Sequence, residues 1–273
     1  MECFDLNSGT QDYVQPTRTF SVYYIILDSL FIVGFLILLF VQKKRVTALW
    51  AIAGGLLYWI VDFGFFYGVS GSRAIYSYLA GNEMELADPA KTGLVLFWMS
   101  MSYGITDFAF IWLWLSKDRK ALEYSLMIVV WWICCPLMAQ FLNQFGSNTL
   151  YFQTTRSTSK YHGIMGLIMA VGYFIVILLN LFRKDPQKKI PLIRLFVVGF
   201  LAQFLWEFIL LLMGIRSSYD EDFPREMRTL FEDSLVETNL GMPYIYFIHK
   251  AVTSHFNDDG SKVKTLEENI SSK

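Results

Sequence analysis

The sequence predicts an all-α, polytopic integral membrane protein with seven transmembrane helices, and three observations predict it. Hydrophobic residues make up 54% of the 273 positions and charged residues 17%, below the roughly 25% charge of a soluble domain. The apolar residues fall in blocks of about 20, the length that crosses a bilayer core about 30 Å thick at 1.5 Å per residue. Basic residues collect in every second connection between blocks.

Six blocks satisfy the length criterion directly: Ser21–Val41, Val46–Gly68, Gly93–Leu115, Tyr124–Phe145, His162–Phe182 and Leu192–Gly214. With no water to satisfy an open backbone, helices are the spanning form this pattern allows. A seventh span is assigned to Ser234–Thr253, although it carries Glu237, Asn239, Pro243, His249 and Lys250, and a surface or re-entrant segment is the alternative. Residues 1–20 are a polar N-terminal segment, 21–253 the transmembrane domain, and 254–273 a polar, disordered tail.

Lys43, Lys44 and Arg45 follow the first span, Lys117, Arg119 and Lys120 the third, and Arg183, Lys184, Lys188 and Lys189 the fifth. Short basic loops face the cytoplasm, which puts the N-terminus on the non-cytoplasmic side and, with seven spans, the C-terminus inside. A net charge of −1 offers no basic surplus for nucleic acid. Three cysteines, Cys3, Cys134 and Cys135, make neither a disulfide framework nor a metal-ligand set. His162 and His249 have no second His or Cys at ligand spacing, and Asp220-Glu221-Asp222 reads as a solvated loop, so no metal or other cofactor is expected.

The second and sixth spans resemble one another. Gly54 precedes Asp62-Phe63 by eight residues, Gly199 precedes Glu207-Phe208 by eight, and each helix ends in Gly with an Arg soon after. A three-plus-one-plus-three arrangement with parallel repeats accounts for this.

Acids inside spans are expensive, by a few kcal/mol each, and usually functional. Asp28, Asp62, Asp107 and Glu207 lie well inside spans, and Glu237 lies about a turn inside the seventh. Helix counting places all but Asp107 in the outer half of the bilayer and Asp107 nearer the middle or inner half, with no Lys or Arg at matching depth to neutralise them. Unpartnered acids in low dielectric hold protons near neutral pH and can donate them. Hydrogen bonding to hydroxyl and amide side chains on neighbouring helices is the structural alternative. Aromatic residues flank these acids: Trp59 and Phe63 around Asp62, Trp206 beside Glu207, and Tyr244 after Glu237. Rings attract cations, so a proton donor in an aromatic pocket is suited to carbocation chemistry.

Trp59-Ile60-Val61-Asp62-Phe63, echoed by Phe204-Leu205-Trp206-Glu207-Phe208, resembles the acid-bearing second helix of the fungal membrane-integral terpene cyclases. Those are the seven-helix enzymes of meroterpenoid and indole-diterpene biosynthesis related to the paxilline cyclase. Leu235-Val236-Glu237-Thr238, followed by Gly241, is similar to their last helix. Asp stands where that family's second helix has Glu, and the Trp-Glu pair lies in the sixth helix. The resemblance implies a metal-independent cyclase of the isomerase or lyase class, in the endoplasmic reticulum membrane if the chain is fungal. Its partner would be a lipid-soluble prenylated small molecule, typically an epoxide, taken from membrane lipid. A buried acid protonates the epoxide, and a base removes a proton after ring closure. Asp62 and Glu237 are the acids carried over, Glu207 joins them from the reading of the spans, and Asp107 is set aside because of its depth. Trp59, Phe63, Trp206 and Tyr244 are the expected substrate-binding rings. The alternative is a seven-helix transporter that uses the same acids for proton coupling or substrate binding. A receptor motif after the third span (Asp118-Arg119) lacks a matching seventh-helix motif.

Overall fold

The computed structural model describes residues 17–146, 148–157, 159–217 and 223–263. Six helices are long and apolar enough to cross a membrane. They are α1 (Val22–Val41), α2 (Arg45–Trp59) with its continuation Ile60–Val69, α3 (Pro89–Leu115), α4 (Ala121–Asn143), α5 (His162–Phe182) and α6 (Leu192–Leu212). Two shorter helices follow, α7 (Phe223–Val236) and α8 (Met242–Thr253). The chain is therefore a multi-pass helical membrane protein.

The helix ends follow from local chemistry. Ser21 starts α1 by accepting a bond from the Tyr24 N–H at 3.3 Å. Asp88 caps α3 by accepting from the Lys91 N–H at 2.9 Å, with Pro89 in the first turn where its missing N–H costs nothing. α3 is the central helix: 72% of its most apolar stretch is buried, against 11% for α5 at the periphery. α2 lies against α3 at very short range, because Gly55 and Gly104 let the backbones touch. A methyl group added at Gly104 would stand 2.5 Å from the Gly55 Cα.

Three features depart from the sequence reading. The first is that the second span is not α-helical throughout. Ile60–Val69 is a π-helix, ending with the Ser70 N–H donating to Phe65 O at 2.8 Å. Such widened turns are rare and occur mostly as single-turn bulges, frequently at functional sites, and Asp62 sits in this one.

The second departure is a five-stranded antiparallel sheet, absent from an all-α reading. Its strands are β1 (Thr17–Ser21), β2 (Arg73–Leu79), β3 (Glu85–Leu86), β4 (Leu150–Arg156) and β5 (Arg216–Ser217), ordered β3-β2-β4-β1-β5. It is assembled from the N-terminal segment and the three long connections, all at one end of the bundle. Arg73 pairs with Arg156 across β2–β4, and Arg18 with Arg216 across β1–β5. Directly opposed residues share a sheet face, so each strand pair presents two guanidinium groups together.

The third concerns the ends of the chain. Residues 17–20 of the polar N-terminal segment belong to β1, and residues of the polar tail before Val263 pack on the bundle. Phe256 bridges Lys262, and Asp258 packs on the start of α2, accepting from the Thr47 N–H at 3.0 Å and the Thr47 hydroxyl at 2.8 Å. Lys44 joins Asp258 to Asp118, tying the basic loops after α1 and α3 together. The predicted seventh span, Ser234–Thr253, comprises the last turn of α7, a turn at Glu237–Gly241, and α8. Asp220-Glu221-Asp222, Cys3 and residues 264–273 lie outside the described residues.

Candidate functional site

Four of the five singled-out acids line one cavity. Asp62 from the π-turn, Asp107 from α3, Glu207 from α6 and Glu237 from the α7–α8 turn all line a cavity of about 370 Å³ in the bundle. Asp28 does not join them. Its carboxylate accepts from the indole N–H groups of Trp98 at 3.1 Å and Trp131 at 3.2 Å, a structural bond set between α1, α3 and α4.

The expectation that these acids lack basic partners is wrong, and the sheet is the reason. Asp62 lies 3.3 Å from Arg73 and 3.9 Å from Arg156, and accepts from the Tyr103 hydroxyl at 2.6 Å. Glu207 accepts from Arg216 at 2.6 Å and is also bridged by Arg18 through two of its nitrogens. Glu237 accepts three bonds, two from Arg156 Nη2 through its two carboxylate oxygens, at 2.6 and 2.8 Å, and one from Gln203 at 2.7 Å. Arg216 continues to Asp233 on α7 at 3.4 Å, and Asp233 lies 3.5 Å from His162. The four arginines come from four strands, and together with four acids they form a balanced network under the sheet. All four guanidinium groups are largely buried, which is tolerable because each is paired with an acid; Arg73 is the least satisfied, since its Nε and Nη1 lack hydrogen-bond partners.

Outside the spans, the network's field is felt in both directions. Burial pushes the Asp233 carboxyl up to about 6, with Glu237 pushing the same way and Arg216 opposing. Burial lowers the affinity of the Arg73 guanidinium for its proton, offset in part by Asp62.

Asp107 is different. It is buried, its Oδ1 has no hydrogen-bond partner, and no cation pairs with it among the described residues. It also lies at the other end of the cavity. Asp62 is 17 residues along its helix from Arg45, whereas Asp107 is eight residues from Leu115, the C-terminal end of α3. At 1.5 Å per residue the two carboxyls differ in depth by about 13 Å. Between them the walls are mainly apolar and aromatic, with Tyr58, Phe66, Phe108 and Trp206 contributing rings.

Of the four rings expected at the site, Trp206 and Tyr244 line the cavity; Trp59 and Phe63 lie outside it. The π-turn sends Asp62 inward and stacks Trp59, Phe63 and Tyr67 in a ladder on another face, with the Trp59 indole N–H donating to Gly93 O at 3.3 Å. The cavity also reaches the outer surface of the bundle. Leu57 and Val61 of α2, and Tyr244 and Ile248 of α8, line it while remaining exposed, so its mouth lies between α2 and α8 on the flank of the bundle.

Sequence reasoning missed Arg18, Arg73, Arg156 and Arg216. Each stands beside Ser or Thr in a short extended stretch, Arg18 in the N-terminal segment and the other three in the long connections that the sequence reading places outside, where the positive-inside tendency disfavours arginine. That recurrence was the available signal. No protein-family profile matches the chain, and neither does any curated protein or solved structure.

Proposed function

We propose that the chain is a membrane-integral terpene cyclase that initiates ring closure by protonating an epoxidised prenyl chain. The observation that carries this reading is one aromatic-walled cavity, open toward lipid, that Asp62, Asp107, Glu207 and Glu237 all line. A lipid-soluble substrate reaches such a cavity sideways from the bilayer. Its oxygenated head lies at the arginine-paired end, with Asp62, Glu207 and Glu237 and their guanidinium partners as donors and acceptors. Its chain runs past Phe66, Trp206 and Tyr58, whose faces offset positive charge that develops on carbon. Its terminal epoxide arrives at Asp107.

The division of labour among the acids follows from their partners. A carboxyl bonded to one or two guanidinium groups is a poor proton donor, because the ion pairs hold it ionised and taking up a proton to donate would break them. Asp107 has no such partner, so in this reading it supplies the proton. The arginine-paired acids hold the head and set its orientation, an entropic contribution to rate. The final deprotonation falls to a hydroxyl or carboxylate along the wall.

The seven-span topology belongs to the same proposal. α8, with 12 residues, covers about 18 Å and does not cross alone. With the turn at Glu237–Gly241 and the end of α7 it completes a broken seventh span, the kind of discontinuity tolerated where backbone lines a cavity. The sheet then lies on the non-cytoplasmic side and the C-terminus in the cytoplasm. The parallel repeat gains a structural correlate, since Asp62 and Glu207 each receive an opposed pair of strand arginines.

The test is purified protein in detergent, incubated with epoxidised prenyl-arenes of several chain lengths and analysed by mass spectrometry for a product of unchanged mass and altered retention. Isomerisation supports the cyclase. Saturable binding with no isomer formed, in a preparation of demonstrated foldedness, moves the reading to the transporter.

A further inference from the structure

The inner end of the cavity has a composition that fits a second class of ligand. Asp107 presents a buried carboxyl with an unpartnered Oδ1. Trp50, Tyr58 and Phe108 line the cavity with it. The Phe108 ring is held 5.2 Å from that of Tyr58, edge to face, and 5.8 Å from that of Trp50. It is fixed there by a shape match: Gly54 leaves space that the Phe108 ring fills, and a methyl group at that position would lie 2.1 Å from the ring. The ring cluster is therefore built into the α2–α3 contact.

An unpaired carboxyl among aromatic rings is the recognition chemistry of an organic ammonium ion. The carboxylate supplies the counter-charge and accepts the N–H bond, and the ring faces attract the alkyl groups that carry the rest of the positive charge. Hydrated metal ions are disfavoured here, because one carboxyl offers too few oxygen ligands. The mouth between α2 and α8, edged by Leu57, Val61, Tyr244 and Ile248, admits a ligand with a long apolar tail.

We propose that Asp107, with the rings of Trp50, Tyr58 and Phe108, forms a binding site for the ammonium head of a lipophilic amine that enters from the bilayer. A neutral amine and a protonated carboxyl share one proton in the complex, so no co-reactant is needed. The inference rests on the cavity proposed above as the reaction chamber, where an ammonium ion occupies the place of the carbocation. It does not require that any reaction take place.

The experiment measures saturable binding of radiolabelled dodecyldimethylamine to the full chain in maltoside detergent, against 2-methyltetradecane, in which CH replaces the nitrogen. The amine binds at least tenfold more tightly than the hydrocarbon, and Asp107→Asn abolishes that preference while leaving hydrocarbon binding unchanged. Equal affinity for amine and hydrocarbon, or an Asp107→Asn protein that keeps the preference, overturns the proposal. Phe108→Leu and Trp50→Leu give an independent reading if Asp107→Asn does not fold. Each lowers the amine-to-hydrocarbon ratio about threefold, and an unchanged ratio in both overturns the proposal. The outcomes separate cleanly from those of the cyclase test. Turnover without amine preference defeats this inference alone, and amine preference without turnover defeats the cyclase alone.

Discussion

Asp62 and Glu207 stand in equivalent surroundings, each bracketed by two arginines that face one another across a pair of strands. Arg73 and Arg156 oppose each other on β2–β4 and meet at Asp62, while Arg18 and Arg216 oppose each other on β1–β5 and meet at Glu207. Like charges directly opposed on a sheet are destabilising. The acids from the bundle offset that repulsion, so the sheet and the helices need one another to be electrically tolerable.

Breaking one arm of this arrangement is costly. Arg156→Met leaves Glu237 without its bidentate partner and Asp62 with Arg73 alone. Stranding a buried charge costs about 3–5 kcal/mol. Adding Glu237→Gln removes the stranded charge while keeping an acceptor for Gln203, and it restores at least half of the loss. Unfolding of the purified variants in detergent measures both. A double variant as unstable as the single one contradicts this account of the network.

The acids separate by consequence when each is replaced with its amide. Asp107→Asn removes a buried group that has no partner, so the protein stays folded, and product formation drops by at least about a hundredfold, a typical size for lost general acid catalysis. Asp62→Asn and Glu207→Gln strand arginines instead, and show first as lost stability. Rate and melting measurements on the three proteins decide the matter. Full activity in Asp107→Asn removes it as the donor.

The sequence made the six long helices legible, because length and hydropathy act locally along the chain. It also brought Asp62, Glu207 and Glu237 to attention, since an acid in an apolar block is conspicuous against its neighbours. Their partners were not legible. Arg18, Arg73, Arg156 and Arg216 lie in four separate polar segments, joined only by strand register over as many as 200 residues, and a seventeen-residue depth count along a helix cannot see a guanidinium reaching down from a sheet. The fates of Trp59 and Phe63 were hidden for a different reason. An α-helix and a π-helix place the same residue on different faces, and the hydropathy of Ile60–Val69 is the same in both.

Gly104 is the position where α2 and α3 approach most closely. A Cβ there would stand 2.5 Å from the Gly55 Cα and 2.9 Å from its N, both backbone atoms that cannot turn aside. Gly104→Ala therefore forces the helices apart and lowers stability by about 1–3 kcal/mol, the usual cost of overpacking. Gly34→Ala, inside α1 where nothing lies within 4 Å, costs nothing by the same assay and gains up to about 1 kcal/mol from helix propensity. Equal melting temperatures for the two variants would remove the close helix contact as a source of stability.

Stability also depends on pH through Asp233. Its carboxyl is raised from the ordinary 3.8 to about 6, first by burial and then by Glu237. Between those values the folded protein binds a proton that the unfolded chain has lost, so unfolding free energy falls as pH rises through this window and levels off above about 6. Subtracting the profile of Asp233→Asn from that of the native protein isolates the effect. A difference that is flat from pH 4 to 6, or that rises, contradicts it.

Sidedness is tested by three cysteines placed in a protein from which Cys3, Cys134 and Cys135 have been removed. Ser72 and Ser157 adjoin one another beside the sheet, where the Ser157 N–H donates to Ser72 O at 3.0 Å. Ser116 lies at the opposite end of the bundle, exposed after α3 and bonded to His249 at 2.8 Å. In the orientation proposed from the basic loops, that end faces the cytoplasm. Ser72→Cys and Ser157→Cys are therefore labelled by an impermeant thiol reagent from the non-cytoplasmic side, and Ser116→Cys only after the membrane is opened. A reporter fused after Lys273 reads as cytoplasmic if α7 and α8 together complete a seventh crossing, because Asp258 holds the preceding segment against the loop that carries Lys44. Labelling of Ser72→Cys and Ser116→Cys from the same side would contradict the orientation of the bundle. A lumenal reporter with correct labelling of all three serine positions would leave the bundle in place and take the seventh crossing away.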